Sequence, residues 1–190
     1  MRIAGHTMGM PEYTVPEAID LFVRLGLDGI EAICHDEYRS AIRTDTPSAA
    51  LQALRRRAES QGLAFAGIAP YPTDLNSPDP QVATVHRDLL VRAIDIAHTL
   101  GARCVRTYPG RETGGPGRAE RFRRLVEAAR GPAEVASKAG VRIAELKRTG
   151  YDGWLSIEYE RRWYPDLLPP AEVGMKAGAE ALRRILSDLN

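Results

Sequence analysis

Two strands that are otherwise apolar each carry one charged side chain. Glu31 lies within Gly29–Cys34, and Arg106 lies within Cys104–Tyr108. Burying a carboxylate costs free energy unless a partner or a ligand satisfies it, so we expect Glu31 to line a ligand-binding cleft. Arg106 either pairs with Glu31 or contacts a phosphate group, because a guanidinium can bind either anion through several N–H groups.

Three further side chains stand at or near predicted strand ends. His6 ends the first strand and either contacts a ligand hydroxyl or hydrogen-bonds a neighbouring strand end. Glu158 lies in Trp154–Glu160, the clearest strand of the chain, where alternation places it on the face opposite the apolar side chains. Trp163 follows that strand and either walls the cleft or packs against the fold.

Composition excludes several classes of protein. The 190 residues carry 26 Lys+Arg and 25 Asp+Glu, so no net field attracts a nucleic acid or an anionic membrane, and we predict neither partner. No apolar run approaches the roughly 20 residues that span a bilayer, and the N-terminus lacks the apolar core of a signal peptide. Cys34 and Cys104 form no Cys-x-x-Cys motif, which favours a reducing compartment, and we predict a cytoplasmic protein.

Short apolar runs alternate with segments of helical periodicity, which is typical of βα units on a parallel sheet. The predicted strands are Arg2–Thr7, Gly29–Cys34, Leu63–Ala69, Cys104–Tyr108, Val141–Ala144 and Trp154–Glu160. The predicted helices are Val15–Leu25, Thr46–Gln61, Asp79–Leu100, Ala119–Ala139 and Ala171–Asp188. Pro132 predicts a break or kink in the fourth helix, because proline removes a hydrogen bond there.

The link between the last two strands is short. Only Glu145–Gly153 separates them, and this length of helix advances only about 13 Å. A crossover between neighbouring parallel strands normally needs a dozen or more residues. The link is therefore shorter than an ordinary crossover requires.

Several segments, taken in order, resemble the xylose isomerase-like sugar phosphate isomerase/epimerase barrels. They are GIEAI at 29–33, TDLNSPDP at 73–80, GVRIA at 140–144 and LKRTGYDGWLSIE at 146–158. The resemblance covers most of the chain and implies one domain over residues 1–190. The implied fold is an α/β, incomplete TIM (β/α)8-type barrel with about six parallel strands and surrounding helices. A complete barrel has about 250 residues, and the missing block falls between Ala144 and Glu145.

The resemblance also implies a chemistry. The family holds a divalent metal (Mn, Zn, Mg or Co) that polarises a sugar while a glutamate removes a proton next to the carbonyl. Of the ligands, only Glu158 transfers, as metal ligand and catalytic residue. The family's glutamate on strand five, aspartate on strand six and histidine on strand seven have no counterparts here. Glu145 does not match the strand-five glutamate, because it is one position out of register and its side chain faces the other way. His6, Glu31, Arg106 and Trp163 are the predicted substrate-binding residues.

Two functions follow from this partial match. In the first, the chain is a sugar (phosphate) isomerase/epimerase that acts on a small sugar or polyol, with a partner subunit completing the barrel and the metal site. In the second, it is an inactive, truncated barrel that binds a small molecule weakly or packs against partners, with no metal bound. Open sheet edges have unpaired backbone groups, so we predict a homo-oligomer in either case.

Overall fold

The strands form one parallel sheet in a computed structural model that describes residues 1–108, 110, 117–144 and 153–188. The strands are β1 Arg2–His6, β2 Gly29–Ile33, β3 Ala64–Ala69, β4 Cys104–Arg106, β5 Arg142–Ala144 and β6 Trp154–Ile157. Their order across the sheet is β5-β4-β3-β2-β1-β6, and every pairing is parallel. The sheet curls into a half-barrel, which confirms the predicted incomplete TIM barrel.

The last strand pairs with the first strand and not with its predecessor in sequence. Ala4 at the centre of β1 lies opposite Gly29 of β2 on one side and Ser156 of β6 on the other. This is the position that the eighth strand takes in a closed (β/α)8 barrel. β5 and β6 are therefore not neighbours in the sheet, but form its two edges. The junction after Ala144, together with Glu145, falls outside the described residues, and the missing block there stays a prediction.

Five helices surround the sheet in the part of the chain that is described: α1 Val15–Arg24, α2 Ser48–Ser60, α3 Pro80–Leu100, α4 Arg118–Ala139 and α5 Ala171–Asp188. Thr14 caps α1 in a reciprocal arrangement with Glu17, which satisfies two otherwise free backbone N–H groups. None of the described helices has the length and apolar character that crossing a membrane requires.

The predicted break in α4 is wrong, because the helix continues through Pro132, while the alternative of a kink stays a prediction. Proline restricts the preceding residue partly through a clash with that residue's Cβ, and the preceding residue is Gly131, which has none. The Pro132 ring is buried, so its packing offsets part of the lost hydrogen bond.

Strand ends also differ from the prediction: β4 ends at Arg106, and β6 ends at Ile157, after which Glu160–Arg162 forms a short 3-10 turn.

The apolar face of β6 packs against α5. A Cβ at Gly178 would lie 3.1 Å from the Ile157 side chain, and one at Gly174 would lie 2.1 Å from the Tyr159 ring. Because side chains alternate along the chain here, Glu158 between them is directed away from α5. The concave side of the half-barrel is therefore the side on which Glu158 lies.

Candidate functional site

Four of the predicted site residues come together where the parallel strands end, a region that we call the mouth. They are His6 on β1, Glu31 on β2, Arg106 on β4 and Glu158 directly after β6. His6 and Glu31 are opposite each other in the register of β1 and β2. The Arg106 guanidinium reaches across the curled sheet to Glu158, with 3.1 Å between Arg106 Nη1 and Glu158 Oε2.

Arg106 forms its ion pair with Glu158 and also lies under the influence of Glu31. Burial lowers the pKa of the guanidinium, but the charges of Glu31 and Glu158 more than offset this, and the net pKa is raised. The arginine is therefore permanently charged. Arg106 Nε is buried and has no hydrogen-bond partner among the described residues.

His6 is the buried member of the group, with no exposed surface. Its Nδ1 accepts a hydrogen bond of 3.0 Å from the Met8 backbone N–H, so the neutral ring has its proton on Nε2. Nε2 lies 3.4 Å from Arg106 Nη2, where two donors face each other and no direct hydrogen bond forms. His6 thus packs against the guanidinium, and its place favours positioning Arg106 over direct contact with a ligand. As a substrate-binding residue it stays a prediction.

Burial is the main cause that lowers the pKa of His6, and the Arg106 charge adds to it, while Glu31 and Glu158 act in the opposite direction. In the unfolded chain, His6 therefore takes up a proton near pH 6.5, whereas in the folded chain it does so only at lower pH. The free energy of unfolding should fall as the pH drops below about 6.5, by at most about 1.4 kcal/mol per pH unit for this one proton.

Urea unfolding between pH 7.5 and 5.5 measures this effect. We expect the pH dependence to be smaller in His6→Gln than in the wild type. An identical pH dependence in wild type and His6→Gln would contradict the assignment.

Glu158 and Arg106 have exposed surface that a ligand can reach. Their side chains are 44% and 27% exposed, respectively. Glu31 is half-buried on β2. Trp163 follows the 3-10 turn after β6 and is 56% exposed, so it is available to a ligand but does not enclose one.

Sequence reasoning missed a row of stacked rings beside this group. The rings of His35 and Tyr38 stack with centroids 4.1 Å apart, and those of Tyr71 and Tyr108 stack at 5.4 Å. Arg162 lies over the Tyr38 ring at 3.9 Å. Burial raises the pKa of Tyr71, whose hydroxyl donates to the Met8 sulfur at 3.3 Å. Each of these aromatic residues follows a strand, which is the signal that could have grouped them.

The described residues do not fit the divalent metal that the resemblance implies. They contain no cluster of three or more His, Cys, Asp or Glu side chains arranged to hold an ion. Glu158 instead has a guanidinium 3.1 Å away. Unit charges 4 Å apart interact with about 4 kcal/mol at a protein-surface dielectric, so a divalent ion on Glu158 would be repelled by Arg106 with about twice that energy.

The sequence profile of the xylose isomerase-like TIM barrel family matches residues 19–145, well over half of the chain. The chain belongs to this family. A search of curated protein sequences found no match. Within the family, the half-barrel contains five consecutive strands and the strand that closes onto β1.

Solved structures with the same fold include several sugar epimerases. D-psicose 3-epimerase, crystallised in the presence of D-fructose, matches with 19% identity and a TM-score of 0.62 over 75% of this chain and 51% of the epimerase. L-ribulose 3-epimerase matches with 23% identity and a TM-score of 0.61 over 75% and 48%. The IolI protein, which has a zinc atom bound, matches with 16% identity and a TM-score of 0.63 over 76% and 50%. The chain spans about half the length of these proteins.

Proposed function

We propose that the mouth binds a small sugar or polyol and that the chain is a sugar isomerase/epimerase-type protein. The observation that carries the proposal is the partly exposed pair of Glu158 and Arg106. A carboxylate accepts hydrogen bonds and a guanidinium donates them, so together they match adjacent hydroxyl and carbonyl groups of a sugar. The epimerases that share the fold act on small ketoses, which supports this ligand class.

The role that we propose for each residue of the mouth follows from how exposed its side chain is. Glu158 and Arg106 contact the ligand directly, and Glu31 on β2, two strands away from β4, adds negative charge that acts on Arg106. Trp163 offers an exposed indole face at the rim, where it would cover the C–H groups of a bound sugar. His6 positions Arg106 from below, because it is buried against the guanidinium.

Loss of the Glu158 charge should weaken sugar binding at least tenfold. Glu158→Gln keeps the size of the side chain but removes its negative charge and with it the charge-assisted hydrogen bonds, which are about twice as strong as neutral ones. The measurement is titration with D-fructose followed by ligand-observed NMR. The matched control is Glu160→Gln, two positions further along on the 3-10 turn.

We expect the control to bind as wild type does. Equal affinity in wild type and Glu158→Gln, or no saturable binding of any ketohexose to the wild type, would overturn the proposed function.

Metal-assisted proton transfer next to the sugar carbonyl is the second candidate function. A zinc-binding protein among the structural neighbours supports it. Since the described residues do not fit a metal, the remaining ligands would have to come from elsewhere, and a second copy of the chain is the proposed source. β4 pairs with β5, and β1 pairs with β6, so within the described sheet each outer strand has one free edge along which a copy could pair.

We therefore propose a homo-oligomer, whose mass light scattering can measure. At tens of micromolar we expect the mass of at least two chains of 20.9 kDa each. A strictly monomeric mass over this range would remove both the oligomer and the shared metal site. Neither Cys34 nor Cys104 forms a disulfide in the described part of the chain, which supports our further proposal of a reducing, cytoplasmic location.

A further inference from the structure

The side chain that faces Glu158 across the mouth is a cation supplied by the chain itself. Arg106 comes from β4 on the opposite part of the curled sheet and donates to Glu158 Oε2 over 3.1 Å. In the metal-dependent pattern that the sequence resembles, this carboxylate would face an ion. The two arrangements compete, because a divalent ion on Glu158 would lie close to the positive charge of Arg106, which already contacts Oε2 of this carboxylate.

We propose that Arg106 takes the place of the divalent ion opposite Glu158 and that the mouth binds its neutral polyhydroxylated ligand without metal. The ligand in this statement rests on the proposed function. The exchange of an ion for a guanidinium rests only on the positions of the described side chains.

The surroundings of Arg106 hold it in this place. His6 is completely buried on one side of the guanidinium, 3.4 Å from Nη2, and the ring of Tyr108 lies 5.9 Å from the guanidinium carbon. The negative charges of Glu31 and Glu158 both act on it. Arg106 is therefore positioned before any ligand arrives, which reduces the ordering that binding requires.

A guanidinium also supplies what a neutral sugar needs from a cation at this point. Its N–H groups form a planar fork with a permanent charge, and they donate hydrogen bonds to carbonyl and hydroxyl oxygens. Glu158 beside it accepts hydrogen bonds from the hydroxyl groups. An ion would bind the sugar oxygens by coordination. Here the Arg106 guanidinium donates hydrogen bonds to these oxygens, and Glu158 accepts hydrogen bonds from the hydroxyl groups.

Direct binding of Mn²⁺ tests the exchange without any sugar. The full-length protein, in its own oligomeric state and stripped with EDTA, is titrated with Mn²⁺, and the free ion is counted by electron paramagnetic resonance. We expect no saturable site with a dissociation constant below about 1 mM at the mouth. A micromolar site that is lost in Glu158→Gln would overturn the proposal, whatever the protein does with sugars.

D-fructose binding, measured with 1 mM EDTA and again with 1 mM Mn²⁺, tests the second part. We expect the two dissociation constants to agree within twofold. Arg106→Gln should weaken binding at least tenfold, and Arg106→Lys, which keeps the charge and loses the fork, should weaken it less. Circular dichroism of each variant verifies that it is folded.

The results that would overturn the role of Arg106 differ from those that would overturn the proposed sugar function. Binding that is at least tenfold tighter with Mn²⁺, or unaffected by Arg106→Gln, overturns the metal-free role of Arg106 but leaves the proposed sugar function intact. Absence of fructose binding in both solutions overturns the proposed function and the ligand part of the inference. In that case the Mn²⁺ titration still decides whether Arg106 takes the ion's place.

Discussion

Phe22→Ala should lower the free energy of unfolding by about 3–5 kcal/mol, the range for removing a buried aromatic ring. Phe22 lies on α1 and has no exposed surface. Its ring fills the space that Gly5 leaves open on β1, since a Cβ at Gly5 would be only 2.5 Å from two ring atoms. The glycine and the ring are complementary, and the truncated side chain would leave a cavity directly below the strand that carries His6.

Urea unfolding of the variant measures this loss. The matched control is Phe122→Ala, which removes the same side chain from α4, where it is 66% exposed. There we expect a change of less than about 0.5 kcal/mol, as for most surface substitutions. Similar losses in the two variants would mean that Phe22 does not pack as described.

Gly9→Ala is expected to destabilise the protein by about 3 kcal/mol, at the upper end for overpacked sites. Gly9 lies in the short 3-10 turn Thr7–Gly9 that follows β1. A Cβ there would be 2.4 Å from the Tyr159 carbonyl oxygen and 2.7 Å from the Tyr159 Cβ. The first of these is a backbone atom and cannot rotate away, so the chain after β6 would have to move.

The displaced segment begins next to Glu158, so Gly9→Ala should also weaken sugar binding in the assay described for Glu158→Gln. Gly178→Ala on α5 is the comparison, because its Cβ would lie 3.1 Å from a side-chain atom of Ile157 that can shift. We expect that variant to stay within about 1 kcal/mol of wild type, since alanine also favours the helix. A Gly9→Ala protein as stable as wild type, with unchanged binding, would rule out the close approach.

Local signals in the sequence were sufficient to predict the helices and strands. Thr14, Pro16 and Glu17 specify the start of α1 through capping chemistry that acts within a few residues. Gly101 and Gly140 end α3 and α4 in the left-handed conformation, which glycine adopts without strain. The same local reasoning failed at Pro132, where the residue before the proline and the burial of its ring outweighed the usual breaking effect.

Local signals in the sequence did not show which charged residues pair with each other at the mouth. Glu31 and Arg106 stood out because each is a charge in an apolar strand, and Glu158 because of its alternation with apolar residues. Arg106 could have paired with Glu31 on β2, two strands away in the sheet, but its direct ion pair is with Glu158, which is 52 residues further along the chain.

The sequence by itself therefore determined the order of strands and helices, the family and which charged residues lie at the strand ends, since these depend on periodicity, capping and short motifs. Only the tertiary structure decided that β6 pairs with β1 and that the sheet curls enough for the side chain of Arg106 on β4 to reach Glu158, directly after β6. Curvature and pairing arise from packing between elements far apart in the chain, and they bring the Glu158 carboxylate within 3.1 Å of the Arg106 guanidinium.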